Sequence, residues 1–206
     1  MGRESARQEA AFMRGETGID GQATEEQKDA AAAEADQARE QLLRGRTYLG
    51  RELLTWMLWR SEATDALFEH EGTGVHVLFT GRITLKGALG EVTELSAKGS
   101  LAPYSVQVKR AMTAGLLVHT ARLRLTWGER VFELSLDAEH LDVKGAKLPE
   151  LMTEEEDDRD QERLQLCDQL GLLVDGCIQS FLAERVTQAW KKKIVPEMRA
   201  WMEQGA

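Results

Sequence analysis

The sequence predicts an α+β protein in which an antiparallel β-sheet is packed by an N-terminal, tryptophan-rich helix and a C-terminal antiparallel helix pair. Apolar residues recur at three- and four-residue steps in residues 47–60 and again after residue 163. Between residues 74 and 142 they recur at two-residue steps, which is typical of strands. A chain of 206 residues is also long enough to bury a sizeable core.

The N-terminal part divides at residue 46. Residues 1–46 are expected to form a polar arm, partly disordered, with one weak helix that begins at the capping pair Thr24 and Gln27. Residues 47–206 are expected to form a single domain. Its first helix carries Trp56 and Trp59 on an apolar stripe, and side chains of that size predict burial against the sheet.

The strand region begins with the alternating residues Val75, Val77 and Phe79. Thr80–Gly81 predicts a bend or turn, after which Ile83 and Leu85 alternate again. Another short strand is expected to begin near Val92 and Leu95, and residues 104–114 predict a helix that Gly115 ends.

A hairpin with Gly128 in its turn is the clearest strand signal. Its expected apolar face holds Leu117, His119, Ala121, Leu123 and Leu125, with Val118, Thr120, Arg122 and Arg124 on the other face. His119 is then expected to be a hydrogen-bonded structural histidine.

The C-terminal part begins with residues 150–162, which carry eight acidic side chains and one base, Arg159. Such a tract is expected to be an exposed acidic linker inside the domain. A long helix follows with leucines at helical spacing from Leu166 to Leu182, and a second helix spans Ala189 to Met202, where Pro196 is expected to kink or shorten it.

The formal charge of −9 leaves a polyanionic partner open, because the acidic linker carries most of it. No N-terminal apolar segment resembles a secretory signal, and no apolar run approaches the roughly 18–20 residues that cross a bilayer. Cys167 and Cys177 lie ten residues apart on one predicted helix, too far for a disulfide, and are expected to be small core residues. A cytoplasmic protein without membrane association is therefore expected.

Motifs for catalysis are not found in the sequence. It contains no phosphate-binding glycine loop, no nucleophile elbow and no pair of histidines four residues apart. The acidic run at 154–158 is interpreted as a solvated linker, not a metal site. We therefore expect no enzymatic activity, no catalytic residue, no metal and no cofactor.

Basic side chains are the remaining candidates for a binding site. They have two interpretations: ordinary solvated surface, with Glu133 as a partner for a hairpin arginine, or a stripe that contacts phosphates without reading bases. The candidate nucleic-acid-binding residues are Lys109, Arg110, Arg122, Arg124, Lys144, Lys147, Lys191, Lys192 and Lys193.

Three stretches together resemble the shorter bacterial proteins of the recombination-associated RdgC family: YLGRELLTWMLWRSE at 48–62, ARLRLTWGERVFELSLDAEHLDVKGAKLP at 121–149, and residues 162–201. The resemblance implies a nucleoid-associated protein that binds duplex DNA without strong sequence preference and limits the access of recombinase. It also implies a homodimer, which in the ring-forming members encloses a basic lumen. Those members are longer and lack the polar arm at 1–46.

The predicted function is therefore that of a non-enzymatic, sequence-nonspecific duplex-DNA-binding protein of the nucleoid. The alternative is a subunit of a multiprotein complex that docks through its tryptophan-rich helix or through residues 1–46 and does not bind DNA.

Overall fold

A computed structural model describes residues 49–87, 94–153 and 155–204, with the exception of the Asp157 side chain. All of these residues belong to one compact unit. The predictions for the arm at 1–46 and for Val92 lie outside the described residues.

The described elements alternate in the order helix, strands, helix, strands, helices. The helices are α1 (residues 49–63), α2 (Val106–Thr113), α3 (Glu156–Arg185) and α4 (Val195–Glu203), with a 3-10 turn at Ala102–Tyr104 and a π-helical turn at Trp190–Ile194. The strands are β1 (Phe68–His70), β2 (Thr73–Gly87), β3 (Glu94–Lys98), β4 (Leu116–Trp127), β5 (Arg130–Asp137) and β6 (Val143–Lys147). The predicted α+β class with an antiparallel sheet is confirmed.

The sheet is built around the long strand β2. One edge of β2 pairs with β4, which continues to β5 and β6, while the other edge pairs with β1 near its start and with β3 near its end. The predicted bend or turn at Thr80–Gly81 is a β-bulge and not a turn: the register shifts between Phe79 and Ile83, and the strand continues. Gly81 adopts a φ of +69° there, which a residue with a Cβ rarely adopts.

The gap between β1 and β3 is closed by a side chain. The hydroxyl of Tyr104 accepts a hydrogen bond from the backbone N–H of Phe79 at 2.9 Å and lies 3.1 Å from the hydroxyl of Ser61. Burial raises the pKa of Tyr104, so its hydroxyl stays protonated. The 3-10 turn thus satisfies a backbone group that no strand pairs with at this point.

Helix α1 lies in the core, as its aromatic stripe predicts. Trp56 and Trp59 are buried, and Thr55, also buried, accepts a hydrogen bond from the backbone N–H of Val118 at 3.1 Å. The Val118 side chain is fully buried in the core, so its expected place on the polar face of the hairpin is wrong. The physical reason is a second register shift, between Thr84 and Leu85, that reverses the alternation of β4 at this point.

Helix α3 begins at Glu156, so the prediction that residues 150–162 form a linker is wrong for their second half. Acidic side chains in a first turn are stabilised by the positive end of the helix dipole, which explains why so charged a tract is helical. The carboxylate of Glu162 also accepts hydrogen bonds from the backbone N–H groups of Met152 and Thr153, at 2.9 Å and 3.1 Å, which holds the preceding chain against the helix.

The C-terminal helices meet α1 through aromatic rings. The ring of Phe181 lies 5.6 Å from that of Trp56 and 5.5 Å from that of Trp190. Pro196 lies in the first turn of α4, directly after the π-helical turn, in agreement with the predicted interruption.

By length and composition, α3 is a candidate membrane span, contrary to the sequence expectation. Its residues Leu166, Leu170 and Leu173 are buried against the other elements. A core helix of a soluble protein passes the same test, so this feature is weak evidence for a membrane.

Candidate nucleic-acid interface

The sheet has one apolar and one polar face. Apolar side chains of β2, β4 and β5 form a single core with those of the helices. The opposite face carries exposed side chains such as Leu78 and Arg124. We call the part of this surface that lies on β2 to β6 the basic face; Glu69 of β1 lies on the same side of the sheet, outside this part. The charged residues of the basic face, assigned by the strand register, are Arg82, Lys86, Glu94, Lys98, Arg122, Arg124, Glu133, Asp137, Lys144 and Lys147.

Charge is segregated to this face. Among the described residues, it holds seven lysines and arginines against three carboxylates, a formal charge of +4. Because the whole chain carries −9, everything outside the basic face carries −13. The basic face thus carries a positive excess on a chain whose net charge is negative, and a polyanion responds to such a local excess.

Glu133 organises the centre of the basic face. Its two carboxylate oxygens accept hydrogen bonds from Arg122 and Arg124, both at 2.8 Å, and Lys147 lies 3.7 Å away. These bonds hold the pKa of Glu133 below its ordinary value, Arg124 having the largest effect. One carboxylate faces three cations, so it aligns two guanidinium groups and leaves an excess of two positive charges.

Lysines at the edge of the sheet extend the basic face. Lys144 lies 3.8 Å from a carboxylate oxygen of Asp137, and the side chains of Lys144 and Lys147 are 61% and 68% exposed. Such exposed ion pairs are weak and exchange readily for phosphate partners. Four of the nine candidate residues are thus brought together: Arg122, Arg124, Lys144 and Lys147.

The other five candidates lie on the helices and do not join the basic face. Lys109 is a structural residue, because its ammonium group lies 2.8 Å from the carboxylate of Glu62 and 4.7 Å from the ring centre of Trp201. Arg110 is exposed on α2, and the three lysines at 191–193 are exposed on the π-helical turn. The nine candidates therefore do not form one surface, because basic residues on the helices do not share the polar face of the sheet, and the binding role of each stays a prediction.

Three residues of the basic face were missed by the sequence reasoning: Arg82, Lys86 and Lys98. Lys98 pairs with Arg82 across β3 and β2, and Lys86 shares their face. The predicted turn at Thr80–Gly81 hid this arrangement, because it separated Arg82 from the strand that continues from Phe79. Side chains alternate between the two faces of a strand, so the residues next to the apolar Ile83 and Leu85 lie on the polar face. This signal would have placed Arg82 and Lys86 there.

A depression of about 490 Å³ lies within the basic face. Its lining includes the basic side chains of Arg82, Lys86 and Arg122, together with the hydroxyl groups of Thr84 and Ser135. Guanidinium, ammonium and hydroxyl donors are the groups that proteins use to contact phosphate oxygens.

His119 also lines this depression and differs from its prediction. It is buried, but its Nδ1 has no hydrogen-bond partner among the described residues, so the expected hydrogen-bonded structural histidine is wrong. Burial, followed by the charges of Lys86 and Arg51, lowers the pKa of His119, which favours the neutral ring.

The two cysteines differ from each other. Cys177 is buried, as expected, and burial raises the pKa of its thiol to about 12, which makes it unreactive. Cys167 is exposed, so its expected place in the core is wrong. It lies on the face of α3 that points away from the core.

The alternative function is docking onto a protein partner through the tryptophan-rich helix or residues 1–46. Trp56 and Trp59 are 1% and 7% exposed, so the tryptophans of α1 offer no surface to a partner. A partner could contact α1 only through its other side chains, and docking through this helix stays a prediction. The segment at 1–46, the second proposed contact, lies outside the described residues.

Comparison of the chain with known protein families, with curated proteins and with solved structures finds no match. The resemblance to RdgC proteins therefore stays a prediction.

Proposed function

We propose that this protein is a non-enzymatic, duplex-DNA-binding protein of the nucleoid that contacts phosphates through the basic face and acts in recombination as a homodimer. The observation that carries the proposal is the formal charge of +4 on the basic face of a chain that carries −9 overall. The resemblance to RdgC proteins supports the link to recombination and the dimer.

The size of the basic face suits several phosphate contacts at once. It crosses five strands, β3, β2, β4, β5 and β6, which at an interstrand spacing of about 4.8 Å corresponds to a width of roughly 19 Å. Duplex DNA carries one negative charge per about 1.7 Å of its axis, so a surface of this width faces several phosphates.

The chemistry of the basic face favours contacts to the backbone over readout of bases. Its donors are arginine, lysine, serine and threonine side chains on strands, the kinds of group that contact phosphate and sugar. Binding is therefore expected to depend little on sequence and strongly on salt.

Two triple variants with equal charge test the proposal. The face variant combines Arg124→Gln, Lys144→Gln and Lys147→Gln, three side chains that are 45–68% exposed. The helix variant combines Lys191→Gln, Lys192→Gln and Lys193→Gln. Both lose three positive charges, so they differ only in where the charge is removed. Fluorescence anisotropy with two unrelated duplexes measures binding between 50 and 200 mM salt.

We expect the face variant to lose at least tenfold in affinity at the lowest salt concentration. Its plot of log affinity against log salt should become shallower by roughly 0.9 for each phosphate contact removed. The helix variant should bind as the unchanged protein does. Equal losses in the two variants, or no binding by the unchanged protein at low salt, would overturn the proposal.

A further inference from the structure

Three side chains with metal-binding groups meet near the start of β4 and the end of β5, beside the turn to β6. A ring nitrogen of His119 and one carboxylate oxygen each from Asp137 and Glu139 lie within 4.8 Å of one another. His119 belongs to β4, Asp137 ends β5, and Glu139 follows in the turn. This cluster is independent of the ion pairs around Glu133.

A second observation points to a ligand at this cluster. The His119 side chain is 6% exposed, and its buried Nδ1 has no hydrogen-bond partner among the described residues. Burial of an unpaired ring nitrogen is unfavourable, and in most proteins such a group has a partner. A bound metal ion would use the lone pair of this neutral ring.

The backbone holds the three residues in place. The carbonyl oxygen of His119 accepts a hydrogen bond from the N–H of Ala138 at 2.8 Å, and the carboxylate of Asp137 accepts one from the N–H of Glu139 at 2.8 Å. Thr120 and Asp137 are paired across β4 and β5. The turn is thus fixed against β4, and the positions of the ligand groups follow from the hairpin register.

The geometry points to a site for a first-row transition-metal dication such as Zn²⁺, bound by His119, Asp137 and Glu139. One imidazole with two carboxylates suits zinc or manganese, whereas Mg²⁺ and Ca²⁺ prefer oxygen ligands alone. Tetrahedral zinc with bonds of about 2.1 Å needs ligand atoms about 3.4 Å apart, so the cluster closes by up to about 1.4 Å on binding. Glu139 is exposed and is free to make this movement.

Positive groups near the cluster set an upper limit on affinity. Lys144 lies 3.8 Å from Asp137, and the charges of Lys86 and Arg51 act on the His119 ring. Lys144 is 61% exposed and leaves when the metal takes its carboxylate partner. Lys86 and Arg51 remain, so we expect moderate affinity.

Isothermal titration calorimetry of the full chain with Zn²⁺ tests the site. The starting protein carries Cys167→Ser, because an exposed thiol can bind zinc on its own. One zinc ion per chain is expected to bind, with a higher melting temperature, while Mg²⁺ gives neither effect. Glu139→Gln should weaken binding about tenfold or more, as even outer groups of metal sites do when removed.

Two further variants separate this cluster from its neighbours. His119→Ala should also weaken zinc binding. Because His119 is buried, its replacement could prevent folding; the Glu139→Gln variant, at an exposed position, then still tests the site. His140→Ala removes the adjacent imidazole and should leave zinc binding unchanged. The proposal is overturned if no zinc binds, if Glu139→Gln binds as tightly as the starting protein, or if His140→Ala abolishes binding instead.

Discussion

Replacement of Glu133 by glutamine is expected to strengthen DNA binding while it weakens the fold. Glutamine keeps the shape of the side chain but removes the charge that aligns Arg122 and Arg124. The formal charge of the basic face rises from +4 to +5. Three partly exposed ion pairs are lost, with Arg122, Arg124 and Lys147, at up to about 0.5 kcal/mol each, so the free energy of unfolding should fall by up to about 1.5 kcal/mol.

The gain in binding follows from Coulomb's law. One added positive charge about 6 Å from a phosphate, in a medium with the dielectric constant of water, contributes about 0.7 kcal/mol. That energy corresponds to about threefold tighter binding, and the gain should shrink as salt screens it. Anisotropy titrations measure binding, and urea unfolding measures stability.

The matched control is Glu129→Gln, which makes the same charge change in the exposed turn between β4 and β5. It should change affinity much less than threefold, because its distance from the basic face lets salt screen the charge. Weaker or unchanged binding by a folded Glu133→Gln variant would refute the reasoning. An equal gain in Glu129→Gln would show that only net charge matters.

Three further predictions concern the pH dependence and the core. Arg124 and Arg122 hold the pKa of Glu133 below its ordinary value of 4.5. Its ion pairs therefore stabilise the fold above that pH and are lost as the pH falls through the folded-state pKa. The unfolding free energies of the unchanged protein and Glu133→Gln should differ at pH 7 and converge in acid. Thr55→Val leaves the buried N–H of Val118 unpaired and should cost about 1–3 kcal/mol in urea unfolding. Gly50→Ala would place a Cβ 2.1 Å from the backbone oxygen of Ala138, so α1 must move. The melting temperature should fall more than in a Gly171→Ala control, because a Cβ added at Gly171 meets no atom within 4 Å.

Local patterns were enough to predict the helices and strands whose buried side chains recur at a single regular spacing along the segment. The tryptophan-rich helix, the hairpin around Gly128 and the long C-terminal helix bury most of the residues that their spacing predicts, although Leu49 and Leu182 are exposed. Each depends on the repeat of apolar side chains within one segment, which the sequence shows directly.

Predictions failed where a partner distant in sequence decides the local structure. The strand β2 continues through Gly81 because β4 pairs on both sides of the bulge, and no local signal shows that partner. The same kind of shift places Val118 in the core. The start of α3 was missed because a run of acidic residues is typical of linkers, although the same charges favour the first turn of a helix.

Only part of the basic face could be predicted from the sequence. Arg122 and Arg124 follow from strand alternation, whereas Lys98 joins them only through the pairing of β3 with β2. The cluster of His119, Asp137 and Glu139 could have been found from the hairpin alone. A turn at Gly128 and Glu129 places residue 120 opposite residue 137, as the register shows.

Lysine footprinting is the most direct test of where DNA binds. Acetylation of the protein, alone and with excess duplex, followed by mass spectrometry, reports every lysine in the same sample. The account predicts protection of Lys86, Lys98, Lys144 and Lys147, with unchanged modification at positions 191–193. Protection of those three helix lysines, with Lys144 and Lys147 still fully modified, would contradict it.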